Sequence, residues 1–188
     1  MPEAAIRMNL DAREAFAELL ERHRKIVFKV TYSYAWHPED RAELAQEIAL
    51  QLWRAFPKYD AARKFSTWMY RIALNVAITF VRDYSEKRAR EIAFDERLHD
   101  RVDPDADDTE TSQQFAVLNR IIAQLDPLNR ALMLLYLDEH SNAEIGEILG
   151  LTETNVSTRL SRLKQRIRND LARTTMPGPA AQMENSSG

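Results

Sequence analysis

The stretch "SNAEIGEILGLTETNVSTRLSRLKQRI", residues 141–167, carries its own punctuation. Ser141 followed three residues later by Glu144 is the signature of a capping box, in which each side chain accepts a hydrogen bond from the other residue's backbone N–H. A helix is predicted to begin there and to turn Ile145, Ile148 and Leu149 inward. Gly150 supplies the positive-φ residue that stops it. Thr152 can cap a second helix, in which Val156, Leu160, Leu163 and Ile167 recur at steps of four, three and four and so form one buried face. Two helices joined by a glycine turn, with Gly146 allowing close backbone approach, predict a helix-turn-helix.

The outer face of the second helix carries Thr154, Asn155, Ser157, Thr158, Arg159, Ser161, Arg162 and Arg166, with Lys164 beside them. Asn and Arg offer paired hydrogen bonds to adenine and guanine edges, hydroxyls fit either base, and the later Arg and Lys suit phosphates. A solvated basic face on an ordinary bundle helix is the alternative.

Composition bounds the rest. With 188 residues and 45% hydrophobic content the chain can bury a core in one domain or two small ones. No run approaches the roughly 20 apolar residues of a membrane span, and the N-terminus lacks a secretory layout. The expectation is a soluble cytoplasmic protein without membrane insertion. The absence of cysteine excludes disulfides and thiolate metal sites. The formal charge of -3 is unevenly spread. Residues 91–114 carry 2 Lys and Arg against 9 Asp and Glu, whereas residues 1–90 carry 16 against 12 and residues 115–173 carry 8 against 7. The acidic balance therefore comes from a middle segment between two mildly basic blocks, and does not argue against a nucleic-acid partner.

Apolar residues recur at helical steps nearly throughout, which predicts an all-α fold. Phe16, Leu19, Leu20, Ile26, Val27, Val30 and Tyr34 read as one stripe, with His23 on its apolar face as a core histidine. Pro38 suits the first position of a helix carrying Leu44, Ile48, Leu52 and Phe56, which Pro57 ends. Ser66 can cap a third long helix with Trp68, Ile72, Val76 and Phe80 on one face. The segment from Glu91 to Gln114 reads as a flexible acidic linker. Periodicity resumes at Phe115, Leu118, Ile121, Ile122 and Leu125, halts at Asp126-Pro127 and restarts through Leu128, Leu132 and Leu135. The predicted organisation is a helical domain over 12–90, a linker over 91–114, a second helical domain over 115–173 and a disordered tail over 174–188.

Asp40, Glu43, Gln46 and Glu47 form one face of the second long helix, opposite its leucine stripe, and suit either solvent or a basic partner. The loop with Lys58, Tyr59, Arg63, Lys64 and Phe65 mixes cations with aromatics, the combination that holds single strands by phosphate attraction and base stacking. Trp68 reads as core, whereas Phe65 suits either core or stacking. Arg71, Asn75 and Arg82 share a stripe facing away from Trp68.

In this order, "DRAELAQEIALQLWRAF", "KFSTWMYRIALNVAITFVR", the acidic linker and "LDPLNRALMLLYLDEHSNAEIGEILGLTETNVSTRLSRLKQRIRNDL" resemble a bacterial sigma factor of the extracytoplasmic-function (ECF) group, in the sigma-70 family. The resemblance implies two small helical domains: region 2, a three- or four-helix bundle, and region 4, a helix-turn-helix. It implies a transcription initiation factor that brings core RNA polymerase to promoter DNA. Asp40, Glu43, Gln46 and Glu47 would then bind the clamp coiled coil of the polymerase's largest subunit, and the flap would be a second contact. Lys58, Tyr59, Arg63, Lys64 and Phe65 would capture melted minus-ten bases, with Arg71, Asn75 and Arg82 on the adjoining DNA. Thr154, Asn155, Ser157, Thr158, Arg159, Arg162, Lys164 and Arg166 would read the minus-thirty-five element. The acidic linker would occupy a cationic channel of the polymerase, and an anti-sigma factor would be a further partner.

Two departures stand out. The family usually has Asp where Glu43 stands, and often has Gly in the loop that here reads "LDEHSNAEI". Trapping unstacked bases biases a duplex toward melting without chemistry, so neither catalytic residues nor a cofactor nor a small-molecule substrate is expected. The four histidines, at 23, 37, 99 and 140, show no close ligand pair, so no metal site is expected either. The rival reading is a stand-alone helix-turn-helix regulator whose first block serves effector binding or dimerisation.

Overall fold

The computed structural model describes residues 2–91, 121–122 and 124–175. All regular elements among them are helical: α1 (Pro2–Arg22), α2 (Arg24–Tyr34), α3 (Pro38–Ala55), a 3-10 turn (Phe56–Lys58), α4 (Phe65–Glu91), α5 (Pro127–Leu137), α6 (Asn142–Leu149) and α7 (Glu153–Thr175). The expected linker, apart from Glu91, lies outside the described residues, as do Phe115, Leu118 and His99. The expected tail lies outside them too, except that α7 continues through Thr174 and Thr175.

The first block packs α2, α3 and α4 against one another. Pro38 sits at the start of α3, where its missing N–H costs nothing, and Glu39 and Asp40 follow in the turn that the helix dipole makes favourable for anions. Leu44, Ile48 and Leu52 are fully buried, each worth roughly 1.5–3 kcal/mol of apolar burial. The single stripe expected from Phe16 to Tyr34 is instead split at His23 into α1 and α2. His23 is half-buried at that junction, its ring 5.3 Å from that of Phe65.

Two expectations about α4 are corrected. The helix begins at Phe65, and the backbone N–H of Trp68 donates to the carbonyl of Lys64, so Ser66 lies inside the first turn instead of capping it. Trp68, Ile72, Val76 and Phe80 are only half-buried, whereas Met69, Tyr70, Ala73, Leu74 and Ala77 are buried. The cause is packing on two sides. Helix α4 meets α2 and α3, and also α5 and α6 of the second block, so its buried face is broad and the expected stripe forms the edge.

In the second block, Asp126 caps α5 by accepting from the N–H of Asn129, with Pro127 in the first turn. Its end is a full Schellman turn: the N–H of Glu139 donates to the carbonyl of Tyr136 and that of His140 to the carbonyl of Leu135. Glu139 adopts φ 62, the left-handed conformation that glycine takes without steric cost. This is the loop in which glycine was the familiar residue. Glu139→Gly is expected to raise stability by about 0.5–1 kcal/mol, because relief of left-handed strain exceeds the added chain entropy. A shift of the urea midpoint at unchanged slope would show it, and an unchanged or lowered midpoint would refute it.

Candidate nucleic-acid interface

The helix-turn-helix forms as its punctuation dictates. The Ser141 hydroxyl accepts from the N–H of Glu144 at 3.2 Å, and the Glu144 carboxylate accepts from the N–H of Ser141 at 3.1 Å. Those bonds, with the Lys64 ammonium, pull the Glu144 carboxyl down to about 2. Gly150 stops α6 at φ 70. The Thr152 hydroxyl then accepts from the N–H of Asn155 at 3.2 Å and opens α7. Val156, Leu160, Leu163 and Ile167 are all buried, as are Ile145 and Ile148 of α6. A Cβ on Gly146 would lie 2.6 Å from the carbonyl oxygen of Leu151, so only glycine fits where the two helices meet.

Burial of one α7 face turns the other outward. Thr154, Asn155, Ser157, Thr158, Ser161, Arg162 and Arg166 are exposed. Arg159 is half-buried, and its Nε donates to Asn155 Oδ1 at 2.8 Å, which fixes the guanidinium along the helix. The Thr158 hydroxyl donates to the carbonyl of Thr154, which leaves its oxygen free to accept. Arg166 approaches Asp170 at 3.8 Å. Lys164 departs from the expected set, since its ammonium sits 4.8 Å from the centre of the Tyr136 ring, against α5 and away from the polar face.

In the first block, Asp40, Glu43, Gln46 and Glu47 lie on one side of α3, with Glu43 and Gln46 exposed and Glu47 accepting from Gln51 at 2.7 Å. Beside them Phe28 and Tyr32 of α2, with Trp36 in the connection that follows it, remain 61%, 55% and 59% exposed. Arg41 of α3 ties the two surfaces together, its guanidinium 4.1 Å over the Tyr32 ring and donating to the carbonyls of Ala35 and Trp36. The sequence reading passed over this aromatic stripe, although its four-residue spacing was visible.

The loop before α4 is divided in a way the sequence left open. Lys58, Arg63 and Lys64 are exposed. Phe65 is buried, only 6% exposed, with its ring against His23, Tyr59 and Trp68. It is core, and the stacking role considered for it is not available in this structure. Tyr59 is half-buried in the same cluster, its ring close to Phe56 and Trp68, and its hydroxyl donates to the carbonyl of Arg63 at 2.6 Å. Aromatic rings therefore brace the loop from beneath while its cations face outward. Phe16, Trp53 and Phe56 extend the cluster. Arg71, Asn75 and Arg82 are exposed along α4, and Arg82 lies 3.5 Å from Asp83.

A second group of residues was not anticipated. Asp138, in the turn after α5, accepts from Lys29 of α2 and from the Tyr70 hydroxyl of α4 at 2.5 Å. Burial raises the Asp138 pKa, but the bonds from Lys29 and Tyr70 outweigh it, and the carboxyl stays below its ordinary range. Burial pushes the Tyr70 phenol up, and the neighbouring carboxylate adds to this. The His140 ring stands edge-on to Tyr70 at 5.2 Å. Nearby, buried Arg130 donates to the carbonyls of Ser33 and Leu125, and the Tyr34 hydroxyl donates to the carbonyl of Pro127 at 2.6 Å. No periodicity could reveal the contacts of Asp138 with Lys29 and Tyr70, of Arg130 with Ser33 or of Tyr34 with Pro127, because those partners are far apart in the chain.

Among the described residues no three His, Asp or Glu side chains gather as a metal site, and no helix is long and apolar enough to cross a membrane.

Comparison with known proteins finds two family matches along the chain. The model of Sigma-70 region 2 matches residues 19–87, and that of Sigma-70, region 4 matches residues 115–167. The ECF RNA polymerase sigma factor SigW of Bacillus subtilis is 28% identical over 85% of this chain and 90% of its own length. The ECF RNA polymerase sigma factor SigE of Mycolicibacterium smegmatis is also 28% identical, over 86% of this chain, which spans 63% of that relative. Among solved structures, the sigma factor RpoE from Bartonella quintana, in complex with the anti-sigma factor NepR, shares the fold with a TM-score of 0.62 over 86% of this chain and 97% of the other, at 13% identity. With regions 2 and 4 matched in order over more than half its length, the chain belongs to the sigma-70 family of RNA polymerase sigma factors, in the ECF group, and is a promoter-directing transcription initiation factor.

Proposed function

We propose that the two blocks divide promoter recognition between them, residues 12–90 acting as region 2 and residues 115–173 as region 4, in a cytoplasmic complex with core polymerase. The observation that carries this reading is the outward polar face of α7, where Asn155, Ser157, Thr158 and Arg162 stand exposed on a helix whose opposite face is fully packed. That face reads the minus-thirty-five element in the major groove, Arg162 being the side chain with an exposed guanidinium able to take a guanine edge. Arg63 and Lys64 hold the backbone of the melted minus-ten strand, and Arg71, Asn75 and Arg82 continue that track along α4. Asp40, Glu43, Gln46 and Glu47, with the exposed rings of Phe28, Tyr32 and Trp36 beside them, dock on core polymerase. An anti-sigma protein covering these surfaces would keep the factor inactive. The protein contributes binding energy to strand opening and carries out no turnover of its own.

Run-off transcription tests the reading directly, with purified protein, core polymerase freed of sigma and fragmented genomic DNA. Discrete starts sharing two upstream motifs are the expected result. Absence of protein-dependent starts with active core would sink it, and tight binding to duplex promoter DNA without polymerase would favour the stand-alone regulator.

Two substitutions probe the assignment. Arg162→Ala should cost about 1–3 kcal/mol and relax selection at one base pair of the upstream motif. Equal loss on every promoter would instead make Arg162 a phosphate contact. Glu43→Lys should weaken association with core polymerase by about tenfold, a reversal at an interface where close charge pairs are worth 1.5 kcal/mol or more. Gel filtration with core polymerase reads this, and unchanged co-elution would remove the face from the interface.

A further inference from the structure

We propose that Arg159 sets the base specificity of α7 by holding the Asn155 amide in one orientation, so that the pair presents hydrogen-bond donors alone and selects guanine where a free asparagine would select adenine. The inference rests on the assignment of the outer α7 face to the minus-thirty-five element, and goes beyond it by naming a base. Asn155 is the third residue of α7, in the turn by which a recognition helix meets base edges. Asn155, Arg159 and Arg162 stand at steps of four and three, on one stripe of the helix. Asn155 is exposed and Arg159 half-buried.

An unengaged asparagine reads adenine with both ends of its amide, accepting from N6 and donating to N7. Here the accepting end is taken, since Arg159 Nε donates to Asn155 Oδ1 at 2.8 Å. A guanidinium has donors and no acceptor, so the bond exists only with the oxygen turned toward Arg159, and a flipped amide would set N–H against N–H. The charged donor also makes the bond roughly twice as strong as one between neutral groups. The second lone pair of Oδ1 does not restore adenine reading, because the N6 hydrogens would then stand beside a cation of their own polarity.

What the pair offers is therefore uniform in sign. The Nδ2 hydrogens of Asn155 and the Nη groups of Arg159 are all donors. In the major groove guanine presents two neighbouring acceptors, N7 and O6, whereas adenine sets an amine beside its single acceptor and thymine a methyl beside its one carbonyl. Guanine is the base that such a pair matches. A phosphate oxygen accepts as well, but it is the same at every position and confers no selection. Arg159 is thus a positioning residue acting through Asn155, and a substitution there changes which base is chosen.

The test uses the full chain with core polymerase, on promoter templates in which each position of the upstream motif found by run-off transcription is varied to all four bases. Asn155→Ala should flatten selection at one position, where the parent should prefer guanine over adenine by about tenfold. Arg159→Met, which keeps the apolar stem and removes the donor, should bring adenine at that position level with guanine, whatever its effect on total output. Arg159→Lys, whose ammonium can still donate to Oδ1, should keep the guanine preference, and Asn155→Asp, an acceptor-only isostere, should abolish it. A purely structural role for Arg159 would lower output on all templates alike and leave the ratio of guanine to adenine unchanged, and that result overturns the proposal. So does a parent preference for adenine at the position flattened by Asn155→Ala, or an equal loss on every template in that variant. Arg162→Ala separates the two ways of failing. A change at its own position, without the expected responses from the Asn155 and Arg159 variants, refutes this inference alone. No change at any position in any of these variants refutes the assignment of α7 as well.

Discussion

Gly146→Ala is expected to destabilise the helix-turn-helix by about 1–3 kcal/mol, although alanine is the better helix former by about 1 kcal/mol. Two terms of opposite sign compete, and the geometry decides between them. The added methyl would stand 2.6 Å from the carbonyl oxygen of Leu151, a backbone atom that no rotamer change can move aside. The same turn is closed by the N–H of Leu151 donating to the carbonyl of Gly146 at 2.9 Å, so relief of the clash would break the bond that sets the angle between α6 and α7. Loss of promoter selectivity together with an earlier thermal transition in far-ultraviolet circular dichroism would confirm this. A variant as stable as the parent would mean that the turn relaxes. Gly150 provides the contrast: no atom lies within 4 Å of its Cβ position, and its requirement for glycine comes from φ alone.

Arg130→Ala is expected to cost about 3 kcal/mol, from truncation of a buried side chain and from two carbonyls left without their donor. Arg130 is 7% exposed, and its guanidinium bonds Leu125 of its own block and Ser33 of α2 while lying 5.2 Å from the Tyr34 ring. Burial lowers its pKa, opposed by the Tyr34 phenol and the Asp126 carboxylate. Arg130→Lys should recover only part of the loss, because an ammonium cannot replace the planar fork that reaches both carbonyls. Urea unfolding at constant salt measures this, and a loss under 1 kcal/mol in the alanine variant would show that water replaces the guanidinium.

What could be read from the sequence was local. Ser141, Glu144, Gly150 and Thr152 act within a few residues of themselves, so their pattern settles where α6 begins and ends and where α7 begins. Val156, Leu160, Leu163 and Ile167 follow because a single packed face leaves a clear period. Helix α4 was harder, since contact on two sides widened its buried face and moved Trp68 and Val76 to the margin. Phe65 was ambiguous in principle, because an aromatic ring beside cations is compatible with stacking on a base or on other rings, and only the positions of His23, Tyr59 and Trp68 distinguish them. The Lys29, Tyr70 and Asp138 group was beyond sequence reasoning altogether: charged residues 109 positions apart announce nothing until the fold brings them together.

The aromatic cluster beneath the loop that leads into α4 has a spectroscopic consequence. All three tryptophans, at 36, 53 and 68, belong to the first block, and two of them sit within or beside that cluster. Indole emission therefore reports on region 2 alone, whereas peptide ellipticity reports on both blocks. A melt in which the two signals separate would show the domains unfolding as independent units, and coincident signals would show that their contact couples them into one cooperative transition.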